Sequence, residues 1–433
     1  MPPTHSQGYI RLGAAEDEQH LGNQRSLARL HIRRILFAFA LIVALIFGYQ
    51  FFRSPTDMHI DYKKYDIPHG VAPEQIASRK DWLPHHTSGH RYRYASQTNF
   101  TLPLSSTNLF IIKTASAGGK LDVITSPSQP RDSVGVGLVL SYDREDIFEH
   151  ILALRLSRPG GENGVGFFEE RDWRDRDHSD RSPELDITLV LPESTSQTPY
   201  TIRKLETNVS NMSQNIVDLR GRFNFNSISL SSSNGHIDAK HLDVETGSLK
   251  TSQGGIRGTF RAKDALILHT SNGPIDVDVQ LENANDGKET LLDAKTSNAP
   301  FRANVTMTST KNREGIFRVN GKTSNSMLNI AIPKAPVDFK LGMEATTSNG
   351  RADIDLPPTF EGEGILKTSA HSTASVVERH GVEDPTGRGR QRHVKTVGAK
   401  TGKLQLKAFW GESEGGKGDV TVKTSQGDIV VRV

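Results

Sequence analysis

The sequence predicts an all-β chain built as a β-helix-like solenoid of short repeats and preceded by a single transmembrane helix. An antiparallel β-sandwich is the alternative architecture. Three observations carry this expectation: a Thr-Ser-Asn/Gln-Gly phrase that keeps returning, strict alternation of apolar and polar residues after it, and one uninterrupted apolar run near the N-terminus.

The apolar run comes first in chain order. Residues 35–52 read ILFAFALIVALIFGYQFF, 18 residues without a charge, which at the helical rise of about 1.5 Å per residue just crosses a bilayer. Arg25, Arg29, Arg33 and Arg34 precede it and only Arg53 closely follows. The positive-inside rule therefore places residues 1–34 in the cytosol as a disordered tail and makes the run an uncleaved signal anchor. The expected product is a type II single-pass protein, its ectodomain extracellular or in the secretory-pathway lumen. Four sequons, at Asn99, Asn208, Asn211 and Asn304, all follow the run and agree with that orientation as N-glycosylation candidates. Residues 53–97 carry four prolines among charges and histidines with no period, and read as a juxtamembrane stalk.

From residue 98 to 433 the texture is β. Val136–Leu140, Ile151–Leu156, Val165–Phe168, Leu185–Leu191 and Ile228–Leu230 are apolar runs of strand length, two of them joined by the glycine-rich RPGGENG. The repeat phrases then follow, with turn residues Asn234, Gln253, Asn272, Asn298, Asn325 and Asn349, and Gln426 near the end; the first six step by 19, 19, 26, 27 and 24 residues. A period of that size with that scatter suits one solenoid turn with side loops of varying length. Asn and Gly suit a sharp corner because both tolerate positive φ, and stacked amides would form a ladder along the axis. After the corners, runs such as Pro274-Ile-Asp-Val-Asp-Val279 place Ile275, Val277 and Val279 on a core face. The phrase degenerates to TSAH at residues 368–371, followed by a polar excursion over 378–395.

The TS[NQ]G phrase with its alternating tail, LPPTFEG at 356–362 and RPGGENGVGFF at 158–168 together resemble fungal membrane-anchored, adhesin-like proteins of a domain-of-unknown-function class. The likeness covers roughly residues 100 to 433. It implies a right-handed β-solenoid ectodomain and surface adhesion, and it brings no catalytic residues.

Composition narrows the chemistry. Among 433 residues there is no cysteine, which excludes disulfides, thiolate metal sites and a cysteine nucleophile, and a net charge of +3 does not suit a dedicated nucleic-acid binder. Asp276/Asp278 and Asp353/Asp355 are i, i+2 pairs, the pattern by which a carbohydrate-active β-helix enzyme would gather its acids. The same spacing describes a solvated strand face. Lys250, His269, Lys295, Lys322, Lys367 and Lys423 each precede a phrase and would stack into a basic ridge facing anionic polysaccharide, or serve solubility. His85, His86 and His90 lack a carboxylate partner for a metal. The reading is a non-enzymatic adhesin-like surface protein, with no cofactor, metal or catalytic residue assigned. Its expected partners are the membrane and cell-wall polysaccharide or surface proteins, not nucleic acid.

Overall fold

A computed structural model describes residues 60–86, 91–174, 182–193, 198–399, 401–412 and 417–433. The tail, the apolar run at 35–52 and His90 lie outside them. Among the described residues no helix is long and apolar enough to cross a membrane. Lys63–Val433 form a unit of their own.

That unit is all-β, and its repeat region consists of two ladders of parallel strands. The strands that follow each corner make a front ladder: Met212–Asp218, the first halves of Ile237–Lys250 and Ile256–His269, then Ile275–Asn283, Phe301–Ser309, Leu328–Lys334 and Ala352–Asp355. Those that precede each corner make a back ladder: Phe223–Ser231, the second halves of the same two long strands, then Thr290–Lys295, Ile316–Lys322 and Lys340–Thr346. Alternation explains why the pairs hold register. A slip by one residue would turn every apolar side chain outward. Ile275, Val277, Val279 and Leu281 from the front and Leu292 and Ala294 from the back are all buried in one shared cluster.

Parallel pairing in the repeats is what the antiparallel sandwich lacks. Among the described residues antiparallel strands occur only towards the ends, where Tyr94–Pro103, Ser133–Tyr142 and Glu184–Pro192 extend the front ladder and Ile151–Arg158 pairs with Glu162–Glu169 at the back. At the other end Gly362–Lys367, Lys403–Trp410 and Arg392–Gly398 close the back ladder in the same manner.

Chain order and spatial order diverge at both ends. The C-terminal strands Gly418–Lys423 and Ile429–Arg432 lie between the pair Lys340–Thr346/Ala352–Asp355 on one side and the pair Gly362–Lys367/Ala374–Val377 on the other. Likewise Leu109–Lys113 and Gly118–Ser126 lie between Glu162–Glu169/Glu184–Pro192 and Tyr200–Val209/Met212–Asp218. The degenerate phrase at residue 368 is therefore stacked after all, on the last coil, with the Thr368 hydroxyl donating to the Gly427 carbonyl at 3.3 Å.

Two expectations need correction. In the segment expected to be a stalk, 53–97, the described residues from Lys63 onward pack into the β unit: Ala72–Ile76 pairs with Ile151–Arg158, Leu83–Pro84 pairs with Tyr94–Pro103, and Tyr65 and Trp82 are buried. These two aromatics supply burial that a proline-rich text conceals. The corners, moreover, do not use positive φ. Among the described residues, those other than glycine with positive φ are Asn211, Asn285, Asn312, Glu314 and Asp338, four of them in loops on the edge opposite the repeat corners.

Candidate binding surface

Each corner is assembled from three side-chain roles. Its threonine is buried and its hydroxyl faces the preceding coil: Thr251 donates to Gly235 O at 2.9 Å, Thr270 to Gly254 O at 2.9 Å, Thr296 to Gly273 O at 2.9 Å, Thr323 to Ala299 O at 3.1 Å and Thr347 to Ser326 O at 3.0 Å. The same oxygen often accepts the N–H of its own fourth residue, as Thr270 does from Gly273 at 3.1 Å. One hydroxyl thus closes a corner and ties it to its neighbour. Thr270→Val keeps the volume but leaves both partners unpaired in a buried place, and a loss of about 2 kcal/mol in chemical unfolding is expected.

Glycine at the fourth position answers to space. A Cβ on Gly273 would collide with the Gly254 carbonyl, and Gly235, Gly254, Gly350 and Gly427 face the same obstacle. Where the sequence places Ala299 and Ser326 instead, no bond from their N–H to the corner hydroxyl forms, whereas all five glycines make one, Gly235 to Ser232 and the other four to a threonine.

The third role is the amide. Asn272 Nδ2 donates to Gln253 Oε1 at 2.9 Å, Asn298 to Asn272 at 2.5 Å, Asn325 to Asn298 at 2.7 Å and Asn349 to Asn325 at 2.7 Å, all exposed. Asn234 donates instead to Asn211 Oδ1 at 2.5 Å. Asn211 is a rung that sequence reasoning missed: it stands in SNM, outside the phrase, and its 60° φ was the available signal only in the structure. Gln426 joins the edge through its backbone N–H, 2.8 Å from Ser348 O. An amide has two N–H groups and two acceptor sites, and an axial ladder occupies one of each. The remaining groups, with the neighbouring Ser252, Ser271, Ser297, Ser348 and Ser425, face solvent as a continuous polar edge.

Beside this edge runs the basic row. Register aligns Lys250, His269, Lys295, Lys322, Thr346, Lys423, Lys367 and Lys403 on successive strands of the back ladder, the C-terminal coil supplying Lys423 ahead of Lys367. Asp293 accepts from Lys295 at 2.9 Å and sits 3.1 Å from His269 Nε2; Glu344 pairs with Lys423 at 2.9 Å. Lys423 beside Glu344 holds that carboxyl below its ordinary range.

The acid pairs do not converge. Two strands, Phe301–Ser309 and Leu328–Lys334, separate Asp276 and Asp278 from Asp353 and Asp355, a distance of about 14 Å at the spacing of paired strands. Along the row the charges alternate, Asp238, Arg257, Asp276 and Arg302 in register. Asp278 accepts from Asn304 Nδ2 at 3.1 Å, Asp353 pairs with Arg351 at 2.9 Å, and Asp355 pairs with Arg379.

The remaining sequence candidates are placed as follows. Asn99, Asn208, Asn211 and Asn304 are all exposed. His85 Nδ1 lies 3.0 Å from Gln97 Oε1, and among the described residues no three His, Asp or Glu side chains gather as metal ligands. The 378–395 excursion is ordered about Asp384, which accepts the N–H groups of Thr386, Arg388 and Arg390 and the Arg390 guanidinium; that guanidinium holds its carboxyl far below the ordinary range.

No family model matches the chain, and no curated protein matches it. Two solved structures share features with it. One, a candidate cell adhesion protein from Clostridium sporogenes ATCC 15579, is 6% identical, with 78% of this chain and 99% of that one covered at a TM-score of 0.16. The other, a candidate adhesin from Parabacteroides merdae ATCC 43184, is 9% identical, with 62% of this chain and 94% of that one covered at a TM-score of 0.27. At TM-scores this low the chains do not superpose, and neither an arrangement nor a role is transferred from them.

Proposed function

We propose that residues 98–433 are a right-handed β-solenoid that works as a non-enzymatic adhesive surface, held at a membrane by the apolar run at 35–52 with residues 1–34 cytosolic. The observation that carries this reading is the exposed edge of Ser and Asn/Gln side chains repeated coil after coil. A uniform edge suits contact with a repetitive polymer such as cell-wall polysaccharide, or with surface proteins. A hydrolase requires converging acids, and these are dispersed. Right-handedness is favoured because parallel strands joined by crossovers take that hand almost without exception. The fungal adhesin-like resemblance of the repeat phrases points the same way, and exposed sequons suit a lumenal or extracellular face.

The test is to display the full chain on cells and mix them with wall polysaccharide fractions, scoring both co-sedimentation and soluble sugar. Co-sedimentation without sugar release is expected. Sugar release that disappears in Asp276→Ala/Asp278→Ala would overturn the reading, as would the absence of any co-sedimentation.

A further inference from the structure

We propose that the lysine row of the back ladder is the seat of a linear anionic polysaccharide, a uronate-bearing or sulfated chain laid along the stacking direction. The inference rests on the adhesive reading above and names its ligand class. The row spans seven strand spacings, about 34 Å at the usual distance between paired strands. It holds six lysines and His269, while the adjacent outward positions hold only the carboxylates Asp293 and Glu344. The whole chain carries only +3, so positive charge is concentrated here.

Edge protection does not account for it. Lysines guard strands whose outer side is unpaired, and every strand of this row is paired on both sides. Nor are the charges matched within the molecule: among the described residues Lys250, Lys322, Lys367 and Lys403 have no ion pair. Lys423, Lys367 and Lys403 stand directly opposite one another on three consecutive strands, and like charges so placed repel. An anionic chain converts that repulsion into attraction. One strand spacing is comparable to the advance of a linear polysaccharide per sugar residue, so acidic groups and lysines repeat in step. The serine hydroxyls and corner amides two and three residues beyond Lys250, His269, Lys295, Lys322 and Lys423 then meet the sugar hydroxyls. A nucleic acid would call for aromatic platforms between the charges, and besides Asp293 and Glu344 the outward positions next to the row are Ser248, Ile267, Asn320, Thr421, Ile365 and Gln405.

The experiment uses the full chain in nanodiscs of neutral lipid, with polygalacturonate, a neutral glucan, duplex DNA and anionic vesicles as separate probes. Polygalacturonate is expected to bind, to weaken steeply with salt, and to lose about tenfold or more in affinity in Lys322→Glu/Lys367→Glu/Lys403→Glu. Lys322→Gln/Lys367→Gln/Lys403→Gln should lose less, and Lys240→Glu/Lys263→Glu/Lys288→Glu, off the row, should bind as the parent does. All are exposed positions, and unchanged unfolding profiles identify folded variants. Parent-like binding by the triple reversal, equal binding of the neutral glucan, or preference for DNA or vesicles would overturn the proposal. If the triple reversal still co-sediments with wall fractions, adhesion stands and the row is not its seat; if the parent itself does not co-sediment, the adhesive reading fails first.

Discussion

Deleting residues 418–433 is expected to open the stack from within, not merely to shorten it. The last coil fills a slot between two others, so its loss uncovers Leu341, Met343, Ala345 and Ile354 on one side and Leu366 and Ala374 on the other, all now buried. It also removes Val420, Val422, Ile429, Val431 and Val433, each essentially inaccessible. Burying one such side chain contributes about 1.5–3 kcal/mol, so the five together rival the stability of an ordinary domain. The ion pairs at the same seam, Lys417 to Asp338 at 2.7 Å and Lys423 to Glu344 at 2.9 Å, are largely exposed and count for little beside that. Both carboxyls are held below their ordinary range, by Lys417 with Arg313 and by Lys423. Their small contribution is present above the unfolded carboxyl pKa and fades as pH falls through the depressed values. Hydrogen exchange should show lost protection in residues 340–377 of the truncated chain, with residues 237–309 retaining theirs. Uniform protection across both regions would show that the slot closes without its last occupant.

Gly258→Val is the second large effect. Gly258 has a φ of +142°, a region L side chains rarely adopt, and any Cβ there would strike the Ala239 carbonyl of the preceding coil. The preceding strand shifts register between Ala239 and Leu242, and the unusual backbone of Gly258 follows that bulge. Backbone strain and overpacking each cost about 1–3 kcal/mol, so a loss of about 3 kcal/mol or more is expected in urea unfolding. Gly287→Val, at a φ of +89° with open space around it, carries a positive-φ cost without crowding and should lose less. Equal losses would remove crowding as the cause.

What the sequence made legible was local. Thr, Asn and Gly at fixed places in a phrase, and Ile275, Val277 and Val279 alternating after it, report interactions within one coil and with the next. Those produced the corners, the strand faces and most of the lysine row. The ends were not legible, because which coil accepts the phrase at 424–427 is settled by shape across some 75 residues of chain, and the phrase itself reads like any other. Lys403 was missed for the same reason: no phrase follows it, and only its antiparallel pairing with Lys367 brings it into line. Trp82 and Tyr65 were obscured by the prolines and charges around them. Asn211 was visible as a sequon, and the sequon obscured the rung.

The two edges of each coil are under different rules. At the corner, amide, hydroxyl and glycine are bonded to the neighbouring coil atom by atom, whereas the added residues of the longer repeats emerge opposite, at 284–289, 310–315 and 335–339. Ile237–Lys250 and Ile256–His269 carry no such addition and simply bend from one ladder to the other. Contour length per coil is thereby uncoupled from pitch: a repeat can grow from 19 to 27 residues with the corner kept in step. Insertions on the loop edge can diversify what this chain presents sideways, while the spacing along the stack stays a fixed ruler.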